Sequence, residues 1–159
     1  MPVRKALPQD ADAISALHSL AFGSTAEAEI IRKLSRDKAD IIAFVYSKKD
    51  RIIGHIQLYE IRLGEINVAG LGPMGVHPDH QRKGIGRLLI KAAIRFLKEK
   101  TKYPLFFVLG HPEFYPRFGF SSAMARHFTA PWSGPSFMGM TLIDNAPQSG
   151  DLLFPKAFL

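Results

Sequence analysis

Hydrophobic residues in the first quarter of the chain recur mostly at helical spacing. Residues 3–7 form a short segment that predicts a strand, and Pro8 ends it. Apolar side chains then return every three or four positions in two segments, which predicts two amphipathic helices. Asp10 and Ser24 stand at the positions of their N-caps. The apolar faces consist of Ile14, Leu17, Leu20 and Ala21 in the first helix and Ala28, Ile31 and Leu34 in the second.

Three segments rich in β-branched and aromatic residues follow at residues 41–47, 52–61 and 66–76. Charged or glycine-containing turns separate them, so we expect three antiparallel strands. From Ile85 to Leu97 the apolar positions return to helical spacing, which predicts the clearest helix of the chain. Residues 105–109 are continuously apolar, as in a strand buried on both faces.

The order of these elements predicts the architecture. Strands joined by short turns come first and a strand–helix–strand crossover follows, so the sheet should be mixed. We expect one α/β domain over residues 1–159, with a further helix after the last strand. From Ser121 onward periodicity is weak, which predicts an irregular C-terminal part. Its large apolar residues are expected in the core rather than in a binding pocket: Trp132, Phe137, Met138 and Met140.

Composition narrows the class of protein. With 159 residues, 47% of them hydrophobic, the chain can bury a core without a disulfide or a metal. The absence of cysteine excludes disulfide scaffolds, cysteine zinc sites, iron–sulfur clusters and thiol nucleophiles. The first residues lack the apolar stretch of a signal peptide, and no apolar run approaches the roughly 20 residues of a membrane span. We expect a cytoplasmic protein that does not bind membranes.

The chain carries a net charge of +7 and has a pI near 9.8, which favours an anionic partner. Charge alone leaves nucleic acid, anionic lipid and a phosphorylated cofactor open. Nucleic acid is disfavoured, because aromatic residues are not interleaved with the basic ones and no recognition motif is present. A basic stripe along the strong helix is typical of a solvated face and consists of Lys83, Arg87, Lys91, Arg95 and Lys98.

The first glycine motif, residues 70–75, formally satisfies G-x-G-x-x-G. It does not fit a dinucleotide-binding turn, because Pro78 blocks the helix that should follow and Arg95 stands near the position of the ribose-binding acid. Three glycines and a proline inside a strand instead predict a bulge where a ligand or another backbone comes close. His77 and His80, just beyond it, are expected to be a loop pair rather than metal ligands, because no third ligand is near.

The second glycine motif, Gln81-Arg82-Lys83-Gly84-Ile85-Gly86, lies between that strand and the strong helix. Glycines at such a turn let backbone N–H groups face outward, and the helix N-terminus adds about half a positive charge. Arg82 and Lys83 add full charges. Together these features predict a pyrophosphate site. The motif is not a P-loop, which requires Gly-Lys followed by Ser or Thr.

Residues 81–86 resemble the Q/R-x-x-G-x-G/A motif of the GNAT superfamily, the general N-acetyltransferases that use acetyl-CoA. The family's tyrosine followed by Gly-Phe has its counterpart in Tyr115-Pro116-Arg117-Phe118-Gly119-Phe120, at the right distance and beyond the right elements. The close resemblance covers residues 66–120, whereas residues 121–159 match nothing specific. It implies a GNAT-like fold: a mixed central sheet with antiparallel N-terminal strands, a splayed parallel pair and helices on both faces.

The resemblance also implies which residues bind acetyl-CoA, the acyl donor. The irregular end of the strand would contact the cofactor through Met74, Gly75 and Val76. Backbone groups of Met74 and Val76 would pair with the pantetheine amides, and the N–H of Met74 or Gly75 would stabilise the oxyanion. The loop and the first helical turn would hold the pyrophosphate through Gln81, Arg82, Lys83, Gly84, Ile85, Gly86 and Arg87. Tyr115 would protonate the departing thiolate of CoA. No metal is implied.

The implied reaction is direct transfer of the acetyl group to a primary amine in a ternary complex. A lysine-like amine with a pKa near 10.4 is protonated at pH 7, so a base would help the attack. The candidates are His111 and Glu113, just ahead of Tyr115, and Glu60 or Glu29 across the cleft. The sequence does not choose among them.

Several alternatives stay open. The acceptor could be a small amine, a polyamine, an aminoglycoside-like molecule, an amino acid or a protein amine. The chain could form a homodimer. A non-catalytic acyl-CoA sensor on the same fold is the second hypothesis for its function.

Overall fold

A mixed β-sheet runs through the described part of the chain, residues 2–159 of this computed structural model. The strands are β1 (Val3–Lys5), β2 (Asp40–Lys48), β3 (Arg51–Leu63), β4 (Ile66–Val76), β5 (Leu105–Leu109), β6 (Phe128–Thr129), β7 (Phe137–Thr141) and β8 (Gly150–Leu153). The helices are α1 (Ala11–Phe22), α2 (Ala26–Arg36), α3 (Ile85–Lys100) and α4 (Ser122–Ala125). The predicted α/β class and mixed sheet are confirmed.

The strand order is β1-β2-β3-β4-β5-β7. Pairing is antiparallel from β1 to β4, parallel between β4 and β5, and antiparallel again between β5 and β7. Strand β8 pairs with the end of β3 and lies parallel to β6. The sheet is therefore built first from hairpins and then closed by the crossover through α3, as the element order predicts.

The C-terminal part is more regular than predicted. Strand β7 lies beside β5 along its whole length, and its first four residues are buried. A strand covered on both faces shows no alternation, and Gly139 and two methionines give it little β-propensity, so its sequence carries a weak signal. The helix expected after β5 is a 3₁₀ turn at Tyr115–Phe118 followed by the short α4. Phe137, Met138 and Met140 are buried in the core, as expected, and Trp132 packs against it.

Alternating residues of the central strands divide the core between the two faces of the sheet. Phe106 and Val108 of β5 pack with the apolar face of α3, whereas Leu105 and Phe107 pack with Leu34 of α2 and the C-terminal aromatic residues. This division follows from the period of two along a strand. It explains why residues 105–108 are continuously apolar, because all four are buried on one face of β5 or the other, whereas Leu109 is exposed.

The expected N-caps of the first two helices are not formed as predicted. The carboxylate of Asp10 accepts hydrogen bonds from Arg4 at 2.8 and 3.0 Å and from the Leu7 N–H at 2.7 Å, and it caps no helical N–H. Asp10 lies in a 3₁₀ turn ahead of α1, so its side chain reaches back to β1. The residue preceding α2 is Thr25 rather than Ser24.

Two glycines of β4 lie under aromatic rings. A Cβ on Gly70 would stand 2.3 Å from the ring of Tyr59, and a Cβ on Gly75 would stand 3.1 Å from the ring of His18. The predicted close approach is therefore made at these positions by side chains of the protein itself. The predicted bulge is present, since the register of β3 with β4 shifts between Ile56 and Leu58.

His18 and His55 form a buried pair on this face of the sheet. The His18 Nε2 and His55 Nδ1 atoms are 2.8 Å apart, so one ring donates a hydrogen bond to the other. Their remaining nitrogens are buried and have no hydrogen-bond partner within residues 2–159. Burial lowers the pKa of His18 to about 4, and burial together with the neighbouring His18 lowers the pKa of His55 to about 3. Both rings are neutral in the folded protein at pH 7.

This pair makes stability depend on pH. In the unfolded chain a histidine has a pKa near 6.5, so between pH 6.5 and 4 the unfolded state binds more protons than the folded state. The free energy of unfolding is then greatest above pH 6.5 and falls on acidification, by at most about 1.4 kcal/mol per pH unit for each histidine. His18→Gln can keep a hydrogen bond to His55 but removes one titrating imidazole. Its free energy of unfolding should therefore fall less steeply on acidification than that of the wild type, as measured by urea unfolding at pH 7, 6 and 5.

His127→Gln is the matched control, because His127 is exposed. Its unfolding free energy should follow the wild-type pH dependence. A slope for His18→Gln equal to that of the wild type would contradict the assignment of the pH dependence to this pair.

Candidate active site

The parallel strands β4 and β5 separate after three residue pairs. They pair at Ala69–Phe106, Gly70–Phe107 and Leu71–Val108. Beyond Leu71, β4 passes through its bulge and continues beside β3 to Val76, while β5 remains paired with β7. A V-shaped opening results between the ends of the two strands.

The edge of β4 that faces this opening carries backbone groups that make no hydrogen bond to β3. The His77 N–H donates to the Ile53 carbonyl at 2.8 Å, so this pair is of the hydrogen-bonded type in the antiparallel ladder. Bonded pairs alternate with non-bonded ones, so Gly75 pairs with His55 while the N–H and C=O groups of Met74 and Val76 point away from β3. These are the backbone groups for which the family resemblance implies pantetheine pairing.

The loop between β4 and α3 has an unusual backbone. Arg82 and Gly84 both adopt left-handed conformations, with φ of 64° and 84°. No side chain caps the N-terminus of α3. Alternation of left- and right-handed residues gathers successive N–H groups into an anion-binding concavity, and the helix N-terminus adds positive charge to it. The Gln81 side chain donates to the Val76 carbonyl at 3.1 Å and ties the loop to the strand.

A cleft of about 890 Å³, the main cleft, extends from this loop into the V. Its charged lining residues are all cations, namely Arg82, Arg87, Lys91 and Arg117. No aspartate or glutamate of the described chain lines it. Phe22, Phe114 and Phe118 supply apolar walls. The cleft therefore suits a ligand with a strongly anionic end and an uncharged arm.

Tyr115 lies at the apex of the V, beside a second cleft of about 360 Å³. Its ring packs edge-on against Phe114 and Phe120, with centroids 5.2 and 5.7 Å away. Gly110 makes room for it, because a Cβ there would stand 2.3 Å from the ring. Burial raises the pKa of Tyr115 to about 12, so the phenol keeps its proton at neutral pH.

The two clefts share four lining residues, Phe22, Met74, His111 and Phe114. Most of the predicted cofactor residues line the main cleft: Met74, Gly75, Val76, Gln81, Arg82, Gly84, Ile85, Gly86 and Arg87. Lys83 lines neither cleft. The Ile85 side chain is buried against Gly54 of the sheet, so only its backbone is suited to a ligand.

Among the predicted bases, the structure brings only His111 to the clefts. Glu113 and Glu29 are exposed and line neither. Glu60 is held elsewhere, as it accepts a hydrogen bond of 2.5 Å from the Tyr103 hydroxyl. Sequence reasoning missed Arg117, which stands inside the Tyr115–Phe120 motif, and Glu27, which lines the second cleft.

Within residues 2–159, no three histidine, aspartate or glutamate side chains come together as a metal site. None of the helices in this range is both long enough and apolar enough to cross a membrane.

Residues 39–122, more than half of the chain, match the family model described as acetyltransferase (GNAT) domain. The chain belongs to the GNAT acetyltransferase family. It is therefore an acyltransferase by family. The family match begins upstream of residue 66, so the resemblance extends further toward the N-terminus than the motifs alone indicate.

Two N-acetyltransferases resemble most of the chain in sequence. The N-acetyltransferase YhbS of Escherichia coli is 28% identical over 151 residues, covering 92% of this chain and 90% of that protein. YjhQ of the same organism is 29% identical over 133 residues, covering 79% of this chain and 73% of YjhQ. Both are named as uncharacterised N-acetyltransferases.

Solved GNAT structures agree closely with the fold. The crystal structure of YhbS in complex with CoA superposes with a TM-score of 0.89 at 27% identity, covering 98% of this chain and 90% of that one. A GNAT family acetyltransferase from Brucella melitensis, in complex with acetyl-CoA, gives a TM-score of 0.84 at 28% identity, with coverage of 99% and 97%. The GNAT-like fold expected from the motifs is confirmed.

Replacement by alanine should change the free energy of unfolding differently at Gly84 and Gly86, the two glycines of the second motif. Gly84 has a φ of 84°, and its Cβ position is open, so Gly84→Ala is strained by its backbone alone and should cost about 1–2 kcal/mol of unfolding free energy. Gly86 lies in α3, and its Cβ would make an ordinary contact 3.6 Å from Met74, so Gly86→Ala should be neutral or slightly stabilising. Urea unfolding of the two variants checks this. Equal destabilisation of both would contradict the left-handed requirement at Gly84.

Proposed function

We propose that this GNAT protein transfers the acetyl group of acetyl-CoA to an amine by direct attack in a ternary complex. We propose one N-acetyltransferase domain over residues 1–159, with the cofactor held mainly by residues 66–120. The observation that carries the proposal is the continuous path from the cationic loop, along the free edge of β4, to Tyr115. The CoA and acetyl-CoA complexes of the 27% and 28% identical relatives support it.

In this proposal each part of the donor has a chemical counterpart. The pyrophosphate binds the backbone N–H groups of residues 82–87, with the surrounding arginines and Lys91 compensating the phosphate charges. The pantetheine amides extend along Met74 and Val76, adding a strand to the free edge of β4. The thioester then lies where the main cleft meets the second cleft, near Tyr115.

The transfer itself depends mostly on placement, since holding both reactants in line can supply about 7–11 kcal/mol. The amine nitrogen attacks the acetyl carbonyl, the new C–N bond forms, and the C–S bond breaks. The amine gives up a proton to a base, and the sulfur takes the proton of Tyr115. The carbonyl oxygen gains negative charge during the attack. The strand alternation favours the Met74 N–H over that of Gly75 as its hydrogen-bond donor, because Gly75 pairs with His55.

Removing the hydroxyl group of Tyr115 tests its proposed role as the proton donor to the sulfur of CoA. Tyr115→Phe should lower kcat by about 10²-fold or more while leaving the affinity for CoA unchanged, because the ring and its packing remain. Release of CoA is measured as free thiol during turnover of acetyl-CoA with a panel of amines. The readout has no protein background, because the chain contains no cysteine.

Tyr46→Phe is the matched control, since it makes the same chemical change on β2, away from both clefts. It should retain wild-type turnover. Saturable CoA binding without thiol release on any amine would favour the non-catalytic sensor, and unchanged turnover of Tyr115→Phe would remove the tyrosine from the mechanism.

A further inference from the structure

The second cleft is lined by none of residues 81–87 of the cationic loop. Its walls come from three places: the ends of α1 and α2, the bulge of β4, and the chain from the end of β5 to Tyr115. It shares Met74 and Phe114 with the main cleft, so a molecule bound there would face the proposed position of the thioester. At about 360 Å³ it has the size of a small-molecule site.

The charged group of this cleft is Glu27, on the first turn of α2. Its Oε1 atom is buried and has no hydrogen-bond partner within residues 2–159. Buried polar atoms are nearly always hydrogen-bonded, because removing them from water without a new partner costs free energy. An unsatisfied carboxylate oxygen in a cleft wall therefore points to a ligand that donates a hydrogen bond to it.

The rest of the lining restricts that ligand. No lysine, arginine or aspartate of the described chain lines the second cleft, and apart from Glu27 its titratable groups are His111 and Tyr115. The other lining residues are glycines, a proline and large apolar side chains: Phe22, Leu71, Gly72, Pro73, Met74, Leu109, Gly110 and Phe114. The cleft thus offers one anion surrounded by apolar surface.

We propose that Glu27 binds the amino group of the acceptor, and that the acceptor is a monoamine whose ammonium is carried on an uncharged, apolar group. This inference rests on the proposed function, because it places the acceptor beside the thioester. The ammonium pairs with the carboxylate of Glu27, and the apolar group of the acceptor packs against the aromatic walls.

The same lining disfavours two other classes of amine. A free amino acid brings a carboxylate, which would lie near Glu27 with no cation in the cleft wall to compensate it. A polyamine or aminoglycoside brings several cations, of which only one can pair with Glu27. An acceptor of either class would leave charged groups uncompensated away from water.

Binding to the protein saturated with CoA tests the proposal directly. Three amines are titrated by calorimetry: 2-phenylethylamine, phenylalanine, which differs from it by a carboxylate, and spermidine, a polycation. We expect 2-phenylethylamine to bind at least about tenfold more tightly than the other two. Equal or tighter binding of phenylalanine or spermidine would overturn the assignment of the acceptor class.

Variants on one helix test the role of Glu27. Glu27→Gln keeps the shape but removes the charge, so it should weaken binding of 2-phenylethylamine at least about tenfold, which is the loss of a charge-assisted hydrogen bond. It should also raise the KM of that amine in turnover while leaving CoA affinity unchanged. Glu29→Gln is the matched control, because Glu29 lies exposed on the same helix outside both clefts. Equal amine affinity of wild type and Glu27→Gln would overturn the proposal.

Thiol release separates this inference from the proposed function. An absence of thiol release with every amine counts against the transferase reaction, whereas the Glu27 site is decided by the calorimetry. A capped lysine peptide is included because its side chain is also an ammonium on an apolar stem. The peptide is not needed to decide the role of Glu27, but tighter binding of the peptide than of 2-phenylethylamine, lost in Glu27→Gln, would identify a protein lysine as the ammonium that Glu27 binds.

Discussion

Three parallel residue pairs join β4 to β5, and the candidate site depends on the pairing ending at Leu71 and Val108. Strand β5 ends at Leu109, and the chain then bends at Gly110 and continues toward Tyr115. Strand β4 bends away through its bulge but keeps its bonds to β3. Backbone groups that a continuous sheet would consume are thereby left at the edge of a cleft.

Charge is divided between the two sides of this opening. The main cleft has arginines and a lysine in its wall and no carboxylate, whereas the second cleft has one carboxylate and no lysine or arginine among the described residues. In the proposed reaction an anionic donor and a cationic acceptor would therefore be drawn to opposite sides of the same apex. In the same proposal Tyr115, whose pKa burial raises to about 12, is the neutral proton donor at that apex.

The packing beneath the site serves to hold β4 in place. The ring of His18 covers Gly75 and joins His55 across the strand pair, while the first turn of α3 is fixed by Ile85 against Gly54. Rings of this size fit only because the strands present glycine at those positions. The irregular composition of β4 thus has two origins: the bulge that opens the cleft and the close packing that supports it.

Local patterns in the sequence determined most of the fold. Hydrophobic patterns placed α1, α2, α3 and the strands β1 to β5, and the motif at residues 81–86 marked the loop ahead of α3, because these features depend on neighbours along the chain. Strand β7 was not predicted, because a strand buried on both faces lacks alternation of apolar and polar residues.

The second cleft was decided by tertiary structure alone. Glu27 and Tyr115 are far apart in sequence, and only the folding of α2 over the end of the V brings both to one cavity. Burial of the Oε1 atom of Glu27 depends on residues that arrive from other elements, whereas Glu29, two positions later on the same helix, is exposed.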